Sequence, residues 1–347
     1  MTMSNNSTTM RLPAEWEPQK AVLIAWPHAQ TDWAYMLDEV EKCYVELAKN
    51  IVPFAQLIIV APDTSHIHDL LADCPQEKIF YIDLDTNDTW TRDYGPITTL
   101  TADGEAVIND FCFNGWGLKF AADLDNLVTR KLSFTGILPT RIVNRMSFVF
   151  EGGSIESDGC GTLLTTTRCL MSPNRNGGMS RREIGTYIKQ ALGARKLLWL
   201  DHGALEGDDT DSHIDTLARF APDNTIVYVG CNDPSDPHYN ELQAMKHDLR
   251  ALHNADGQKF NLIELPLPNA VYDEDGNRLP ATYANFLVIN NAVLVPVYGQ
   301  PKLDELACKI LRVAFTGFEV IPVNCSALIK QHGSLHCATM QLPEINF

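Results

Sequence analysis

Residues 283–324 hold four segments that decide the fold: "YANFLVI" (283–289), "AVLVPVY" (292–298), "PKLDELACKILRVAF" (301–315) and "FEVIPV" (318–323). The first, second and fourth are short apolar runs rich in β-branched residues, which predicts strands. The third begins with proline and then repeats apolar residues at helical spacing, which predicts a helix. The order of this unit is therefore strand, strand, helix, strand.

The same order recurs along the chain, and the later helices are centred about 60 residues apart, a period typical of arrays and propellers. Thr31 is a candidate N-cap for the first helix, and Ser180 with Glu183 has the spacing of a capping box. The predicted helices span 31–50, 121–132, 180–192, 236–252 and 301–315.

Each helix is flanked by apolar runs that fit the strands of its unit. In the second unit "TRIV" (140–143) is the expected last strand, and "RMSFVF" (145–150) is the expected first strand of the third. The first unit lacks one leading strand, which "LHCATMQL" (335–342) can supply. These patterns predict an α/β fold, a five-bladed ββαβ propeller with pseudo-fivefold symmetry closed by the C-terminal strand. A single open α/β sheet is the alternative.

The composition restricts the class of ligand. The chain of 347 residues is 45% hydrophobic and has a formal net charge of −17, which argues against nucleic acid and anionic membranes as partners and suits a cationic ligand. No apolar run approaches the ~18 residues of a membrane helix. Residues 1–10 read as a disordered tail without a secretory signal, so we expect one catalytic domain over 11–347 and a cytoplasmic location.

Metal and cofactor sites are not indicated. The nine cysteines form no C-x-x-C pair, which argues against structural zinc and fits reduced thiols. The acidic window "DDTDSHID" (208–215) lacks the spacing of an EF-hand, and no H-E-x-x-H motif occurs. We therefore expect no metal ion and no cofactor, although the window itself has the composition of a hard-cation site.

Polar clusters lie beside the first strand of successive units, where a ring of repeats would bring equivalent positions together. Each member also has an ordinary structural interpretation, such as a core cysteine, a buried histidine, a surface ion pair or a turn carboxylate. The candidates that would meet in one pocket are Asp93, Glu151, His213, Asp215, Asn285 and Cys337.

A thiol, an imidazole and several carboxylates share one plausible chemistry. The thiolate is the nucleophile, and paired carboxylates can hold a planar, cationic guanidinium by charge-assisted hydrogen bonds. The central carbon of that guanidinium is then open to attack by sulfur.

Six segments resemble the agmatine deiminase branch of the guanidino-group-modifying (pentein) superfamily, which is similar to the peptidylarginine deiminases. The resemblance runs from about residue 12 to the C-terminus and implies a five-bladed α/β propeller. The segments are "TNDTWTRDYGP" (86–96), "FNGWGLK" (113–119), "FEGGSIESDG" (150–159), "DDTDSHIDTLARF" (208–220), "TYANF" (282–286) and "HGSLHCATMQ" (332–341).

The resemblance implies a role for each candidate. Cys337 matches the nucleophile, His213 the acid–base residue, and Glu151 the acid that orients it; Asp93 and Asp215 match the carboxylates that hold the guanidinium, and Asn285 matches a substrate-binding position. The implied reaction is hydrolysis of agmatine to N-carbamoylputrescine and ammonia through an S-alkylthiouronium intermediate, with no cofactor. Two departures bear on the pocket: Ser212 where the family often has glycine, and "QHGSLHC" where it often has G-G-G-N-x-H-C.

Substrate choice depends on the far end of the pocket. Asp209 is a candidate for binding the ammonium of agmatine, and Trp90 and Trp116 for flanking its aliphatic stem. Free, peptidyl or methylated arginine remains an alternative substrate, an amine an alternative acceptor, and a non-catalytic propeller that binds polyamines or cations an alternative function. A homodimer is also left open by the sequence.

Overall fold

A computed structural model describes residues 10–138 and 141–344, so residues 1–9 of the predicted tail lie outside the described residues. The strands of the described chain are β1 (Gln19–Ala25), β2 (Gln56–Ala61), β3 (Ile79–Asp83), β4 (Ile97–Leu100), β5 (Ala106–Cys112), β6 (Ile142–Val149), β7 (Glu156–Ser157), β8 (Thr162–Thr166), β9 (Lys196–Leu200), β10 (Ala218–Ala221), β11 (Thr225–Gly230), β12 (Asn261–Pro266), β13 (Val271–Tyr272), β14 (Arg278–Leu279), β15 (Leu287–Ile289), β16 (Ala292–Val297), β17 (Glu319–Asn324) and β18 (Met340–Pro343).

Ten α-helical segments occur in the same part of the chain, four of them longer than two turns. They are α1 (Leu37–Ile51), α2 (Ser65–Leu70), α3 (Thr91–Tyr94), α4 (Gly115–Leu118), α5 (Val128–Ser133), α6 (Thr167–Leu170), α7 (Pro173–Asn176), α8 (Arg181–Leu192), α9 (Tyr239–Ala251) and α10 (Pro301–Ala314). Six 3₁₀ turns accompany them: Ala34–Met36, Gln76–Lys78, Asp125–Leu127, Gly152–Ser154, Ile214–Thr216 and Leu328–Gln331.

Five sheets share one plan. In the sheet β15-β16-β17 the first two strands are antiparallel, the last two are parallel, and α10 connects the parallel pair. The sheets β4-β5-β6, β7-β8-β9 and β10-β11-β12 have the same pairing, and a separate hairpin joins β13 to β14. The parallel strands require a crossover, which explains why a helical connection recurs in each unit.

The fifth sheet joins the two ends of the described chain. Strand β18 pairs antiparallel with β1, so that Met340 lies opposite Leu23, and β1 and β2 are parallel. The predicted C-terminal contribution to the first unit is therefore confirmed. The sheet also gains a fourth strand, β3, that was not predicted.

The break predicted between the strands 140–143 and 145–150 is wrong, and so is the predicted first strand of the third unit. Residues of both "TRIV" and "RMSFVF" lie in one continuous strand, β6 (Ile142–Val149), whose pairing with β5 shifts between Phe111 and Cys112; Thr140 lies outside the described residues. The first strand of the third unit is the short β7. The polar Asn144 interrupts the apolar pattern, but it pairs in register with Asp110, and the irregularity follows Arg145.

Two predicted helices are shorter than expected. Helix α1 begins at Leu37 instead of after Thr31, because the preceding residues form a 3₁₀ turn, and the side chain of Thr31 bonds to the backbone of His28 and Trp33. Of the predicted helix 121–132, only the 3₁₀ turn Asp125–Leu127 and the short helix α5 form. Helix α8 matches its prediction, with the capping box of Ser180 and Glu183 and a left-handed Gly193 at its end.

Five short turns position the polar clusters. Each of them immediately precedes the first strand of a sheet: α3 precedes β4, the turn Gly152–Ser154 precedes β7, and Ile214–Thr216 precedes β10. Residues 282–285 and 334–337 precede β15 and β18 in the same way. Most residues of the central strands β2, β8, β11 and β16 are buried, so these turns are held on a rigid core. No described helix has the length and apolar character needed to cross a membrane.

Candidate active site

Glu151 and His213 form the buried centre of the site. Nε2 of His213 lies 2.8 Å from Oε2 of Glu151, while its Nδ1 has no hydrogen-bond partner within the described structure. Burial disfavours a charged imidazole, but the charge of Asp93 and contacts with Cys169 and Glu151 raise the pKa of His213 well above its ordinary value. The ring is therefore a protonated donor whose free N–H belongs to Nδ1.

Asp93 lies beside this free nitrogen. Its Oδ1 is 3.5 Å from Nδ1 of His213 and accepts the backbone N–H of Gly153 at 2.9 Å, while its Oδ2 accepts Nε1–H of Trp116 at 2.9 Å. Burial raises the pKa of Asp93 to about 6, against the charge of His213. This carboxylate can change its ionisation near neutral pH.

Asp215 and Asn285 surround the sulfur of Cys337. Sγ lies 3.8 Å from Oδ2 of Asp215 and 3.3 Å from Nδ2 of Asn285. Burial and the charges of Asp215 and Asp93 raise the pKa of the Cys337 thiol well above its ordinary value. Burial also opposes ionisation of Asp215, but the hydrogen bond and charge of His336 lower its pKa. The resting site thus combines a neutral thiol with an ionised carboxylate.

Gly153 lies where these groups meet. A β-carbon built on Gly153 would come within 2.6 Å of Nδ1 of His213, 2.7 Å of Oδ1 of Asp93 and 3.2 Å of Oδ2 of Asp215. Glycine is needed at this position for space and not for its backbone conformation, which is ordinary. The motif "FEGGS" therefore supplies both the carboxylate of Glu151 and the room in front of it.

A cavity of about 360 Å³ leads to Cys337, a size suited to a small ligand. Trp90, Trp116 and Asp209 all lie on its wall, as expected from the sequence, whereas Asn285 is buried behind Cys337. The lining residues are Asp32, Asp88, Trp90, Asp93, Trp116, Phe120, Asp208, Asp209, Thr210, Thr216, Gln331, His332, Gly333 and Cys337.

The acidic window divides its four aspartates between structure and site. Asp208 accepts hydrogen bonds from Thr210 and from the backbone of Ser212, and Asp211 pairs with Lys119 at 2.9 Å and Arg175 at 2.6 Å. Asp209 lies on the cavity wall, and Asp215 lies beside Cys337. Burial and neighbouring Asp208 raise the pKa of Asp209.

Ser212 adopts a left-handed conformation with φ +68°, as does Asp211 with φ +66°. This conformation favours glycine. At position 212 the chain therefore has serine, with its short polar side chain, where glycine would be less strained. The backbone N–H of Ser212 is held by Asp208 at 2.6 Å.

Several site residues were missed from the sequence. Arg175 donates to both oxygens of Glu151 at 2.9 and 3.0 Å, and Cys169 contacts the same carboxylate at 3.8 Å. On the other side of the site, His336 bonds to Asp215 at 2.8 Å. The same cluster contains Glu15, Glu156 and Arg219. His336, Glu156 and Arg219 lie inside segments already identified as motifs, which was the available signal, whereas Glu15 lies outside them.

Two groups of side chains have donor atoms close enough together to ligate a metal ion. One contains Glu151, Cys169 and His213, and the other contains Glu15, Glu156 and His336. In each group an arginine already contacts the carboxylates: Arg175 on Glu151, and Arg219 on Glu15 and Glu156. These guanidinium groups supply the positive charge that a metal ion would otherwise bring.

The α/β sheets and the cysteine–histidine–carboxylate cluster define an enzyme of the class that modifies guanidino groups. The chain belongs to the Porphyromonas-type peptidyl-arginine deiminase family, whose sequence pattern matches residues 11–343.

Relatives support this assignment over nearly the whole chain. A curated protein of Legionella pneumophila, provisionally named agmatine deiminase, is 32% identical over 340 residues, which cover 96% of this chain and 94% of the relative. A solved Cys-to-Ser variant of agmatine deiminase from C. jejuni with substrate bound is 38% identical, with a TM-score of 0.90 and 97% of each chain covered. A structure from Porphyromonas gingivalis, assigned provisionally as an arginine deiminase, is 51% identical, with a TM-score of 0.91 and coverage of 97% of this chain and 100% of the other.

Proposed function

We propose that the chain hydrolyses agmatine to N-carbamoylputrescine and ammonia. The observation that carries this proposal is the charge of the cavity: five aspartates line it together with Cys337, and its described lining contains no lysine or arginine. Agmatine is a dication, whereas free arginine also bears a carboxylate that would need a cationic partner. The agmatine deiminases among the relatives support the same substrate.

The guanidinium binds between Asp93 and Asp215. One oxygen of each carboxylate lies near Gly153, and Oδ1 of Asp215 is a buried acceptor without a described partner. A planar guanidinium satisfies such acceptors by paired charge-assisted hydrogen bonds. Its positive charge also offsets the negative charges that hold the proton on Cys337, so that binding favours the thiolate. The thiol proton passes to solvent on binding and is regained after the product leaves.

The first half-reaction forms a carbon–sulfur bond. The thiolate of Cys337 attacks the guanidinium carbon and gives a neutral tetrahedral adduct. His213 donates its Nδ1 proton to one amino group, the carbon–nitrogen bond breaks, and ammonia leaves. An S-alkylthiouronium cation remains on Cys337, and His213 becomes neutral while Glu151 holds its Nε2.

The second half-reaction consumes water. Neutral His213 takes a proton from water as the oxygen attacks the thiouronium carbon. The carbon–sulfur bond then breaks, the hydroxyl proton is released, and the ureido product leaves Cys337 as the thiolate. The released proton and ammonia together make ammonium, so one agmatine and one water yield one ureido product and one ammonium ion. Acid–base catalysis by a positioned histidine contributes roughly 10²–10⁴-fold.

The distal ammonium is bound by Asp209, and the aliphatic stem passes Trp90 and Trp116. Asp209 has no described side-chain partner that would compete, while Trp116 uses its indole nitrogen on Asp93 and leaves its ring to the cavity. Aromatic faces bind both the apolar stem and the cationic end.

The same proposal covers the architecture around the site. The five sheets are the blades of a propeller about one axis, in a single domain over residues 11–347, and the turns before the first strand of each blade converge at that axis. The common pairing pattern of the sheets and the meeting of residues 93, 151, 213, 285 and 337 support this arrangement. A cytoplasmic location and a homodimer remain predictions.

Incubation with a panel of guanidines tests the function. Agmatine, arginine and an N-acetyl-arginine amide are compared at one pH, with ammonia and the ureido product measured in parallel. We expect equal amounts of both products from agmatine and little from the others. Comparable turnover of arginine would make the chain an arginine deiminase, preference for the amide a peptidyl-arginine deiminase, and binding without product a non-catalytic protein.

A further inference from the structure

His336 lies between two carboxylates, one in the site and one outside it. Its Nδ1 is 2.8 Å from Oδ2 of Asp215, and its Nε2 is 2.7 Å from Oε1 of Glu15. The side chain of His336 is 1% exposed, whereas that of Glu15 is 21% exposed. The oxygen of Asp215 that meets His336 is the one that lies 3.8 Å from Sγ of Cys337.

The geometry determines how many protons the ring carries. An ionised carboxylate is an acceptor only, so each of these short contacts needs a hydrogen on the imidazole nitrogen. Burial opposes ionisation of Glu15, but the charges of Arg219, His336 and Arg92 lower its pKa far below the ordinary value. Burial raises the pKa of Asp215, but the contact with His336 lowers it, and the charges of His213 and Arg219 lower it independently of His336. Both ring nitrogens therefore donate, and the ring is an imidazolium.

A neutral ring accepting from Arg219 is the competing arrangement, because Nη2 of Arg219 also lies 2.9 Å from Nε2. In that case the lone pair of Nε2 would face the ionised oxygen of Glu15 at 2.7 Å. Arg219 already donates to the other oxygen of Glu15 at 2.6 Å, to Phe286 O at 2.5 Å, and to Glu156. Four of its five N–H groups therefore have acceptors other than the imidazole.

Neighbouring backbone and charges hold the ring in this position. The backbone N–H of His336 donates to Oδ1 of Asn285 at 2.9 Å, and Asn285 also contacts Sγ of Cys337 at 3.3 Å. The charged groups that face His336 from the surrounding elements are Glu15, Arg92, Glu156, Asp215 and Arg219.

We propose that His336 is a positioning residue, an imidazolium clamped between Asp215 and Glu15 that holds Asp215 in place and offsets its negative charge, which otherwise opposes formation of the Cys337 thiolate. The site then contains two carboxylate–histidine pairs. Glu151 pairs with His213, which moves protons, and Asp215 pairs with His336, which supplies a fixed positive charge. This inference rests on the proposed role of Cys337 as nucleophile.

Alkylation of Cys337 by iodoacetamide as a function of pH tests the proposal without any substrate. His336→Asn retains a donor toward Asp215 but removes the charge, and His336→Gln is a second neutral variant that retains a donor toward Glu15. Loss of a positive charge at about 4–6 Å shifts a pKa by about 1–3 units. We therefore expect alkylation at neutral pH to slow by about tenfold or more and to recover at high pH.

His238→Asn is the matched control, because His238 also bonds to a carboxylate, Asp236, at 2.8 Å but touches none of the cavity residues. It should leave the pH midpoint of Cys337 alkylation unchanged. A purely structural role of His336 would slow alkylation equally at every pH, and that result overturns the proposal. Unchanged or faster alkylation at neutral pH in a folded variant also overturns it. If no guanidine is turned over by the wild type, the proposed function fails while this measurement still decides the charge of His336.

Discussion

Nδ1 of His213 lies 3.5 Å from Oδ1 of Asp93, and the two atoms face the same space beside Gly153. The contact is longer than a hydrogen bond, whereas Nε2 of His213 is bound tightly by Glu151 at 2.8 Å. A guanidinium that enters this space can therefore bind Asp93 and leave the Nδ1 proton directed at its nitrogen. In the proposed mechanism, this separation allows Asp93 to hold the substrate while His213 protonates the leaving group.

The first prediction is that kcat/KM falls as the pH drops through about 6. Asp93 must be ionised to hold the guanidinium, and burial raises its pKa to about 6, so the active fraction of free enzyme is lost below that value. A pH profile of kcat/KM for agmatine measures the inflection. Burial also raises the pKa of Asp88 on the cavity wall to about 7, so Asp88→Asn is the control. An inflection that disappears in this variant would belong to Asp88 and contradict the assignment.

Cys337→Ala is expected to fold and bind agmatine but to lose turnover, because no other described group beside the two carboxylates can attack the guanidinium carbon. Ammonia release gives the rate, and calorimetry with agmatine gives the binding. Cys308→Ala removes another buried thiol, on helix α10, and should retain both properties. Substantial activity of Cys337→Ala would exclude the covalent mechanism.

Gly153→Ala should reduce kcat by about 10²-fold or more with little change in fold. The new methyl would displace His213 and Asp93, and errors of about 1 Å in a catalytic group cost about that much. Gly178→Ala is a suitable control, since a β-carbon there meets no atom within 4 Å. Near-normal kcat in Gly153→Ala would mean that the reacting groups do not meet at this position.

Substrate preference should depend on Asp209. We expect kcat/KM for agmatine to exceed that for arginine by at least ~10²-fold, equivalent to about 2.7 kcal/mol of differential transition-state binding. Asp209→Asn should lower kcat/KM for agmatine by about tenfold, since it removes the partner of the ammonium. n-Butylguanidine lacks the ammonium and serves as the control substrate. Equal losses for both compounds would refute a role in binding the ammonium.

Arg175→Met should destabilise the protein by about 3–5 kcal/mol, the range for breaking a buried ion pair from one side. Both side chains of the Arg175–Glu151 pair are 0% exposed, so Glu151 would lose its main counter-charge. Urea unfolding measures the free energy. Arg195→Met breaks an exposed pair with Asp256 and should change little. A similar small change in both variants would mean that His213 alone compensates for the charge of Glu151.

Local patterns were sufficient for part of this description. Apolar periodicity located the strands and long helices, and it failed where polar residues such as Asn144 continued a strand or where Thr31 was taken as a cap. The recurring order of elements brought residues as distant as Asp93 and Cys337 into one predicted site. The prediction used the place of each residue within its repeat unit, not the distance between the residues along the chain.

The partners of the site residues could not be predicted in the same way. Arg175 and His336 act through buried contacts with Glu151 and Asp215 that come from different parts of the chain, and no spacing rule marks such a pair. Nor does composition reveal which aspartates of the window 208–215 face the cavity. That depends on two left-handed residues at 211 and 212, of which Ser212 donates its backbone N–H to Asp208 while Asp211 pairs with Lys119 and Arg175.

Because β18 pairs antiparallel with β1, we expect the active site to form only late during protein synthesis. Residues 19–25 leave the ribosome long before residues 340–343, which complete their sheet and follow Cys337 by only a few positions. Such distant pairing slows folding, because the chain must close its longest loop before that contact forms. A nascent chain therefore gains Cys337, the proposed nucleophile, and its last described strand at nearly the same time.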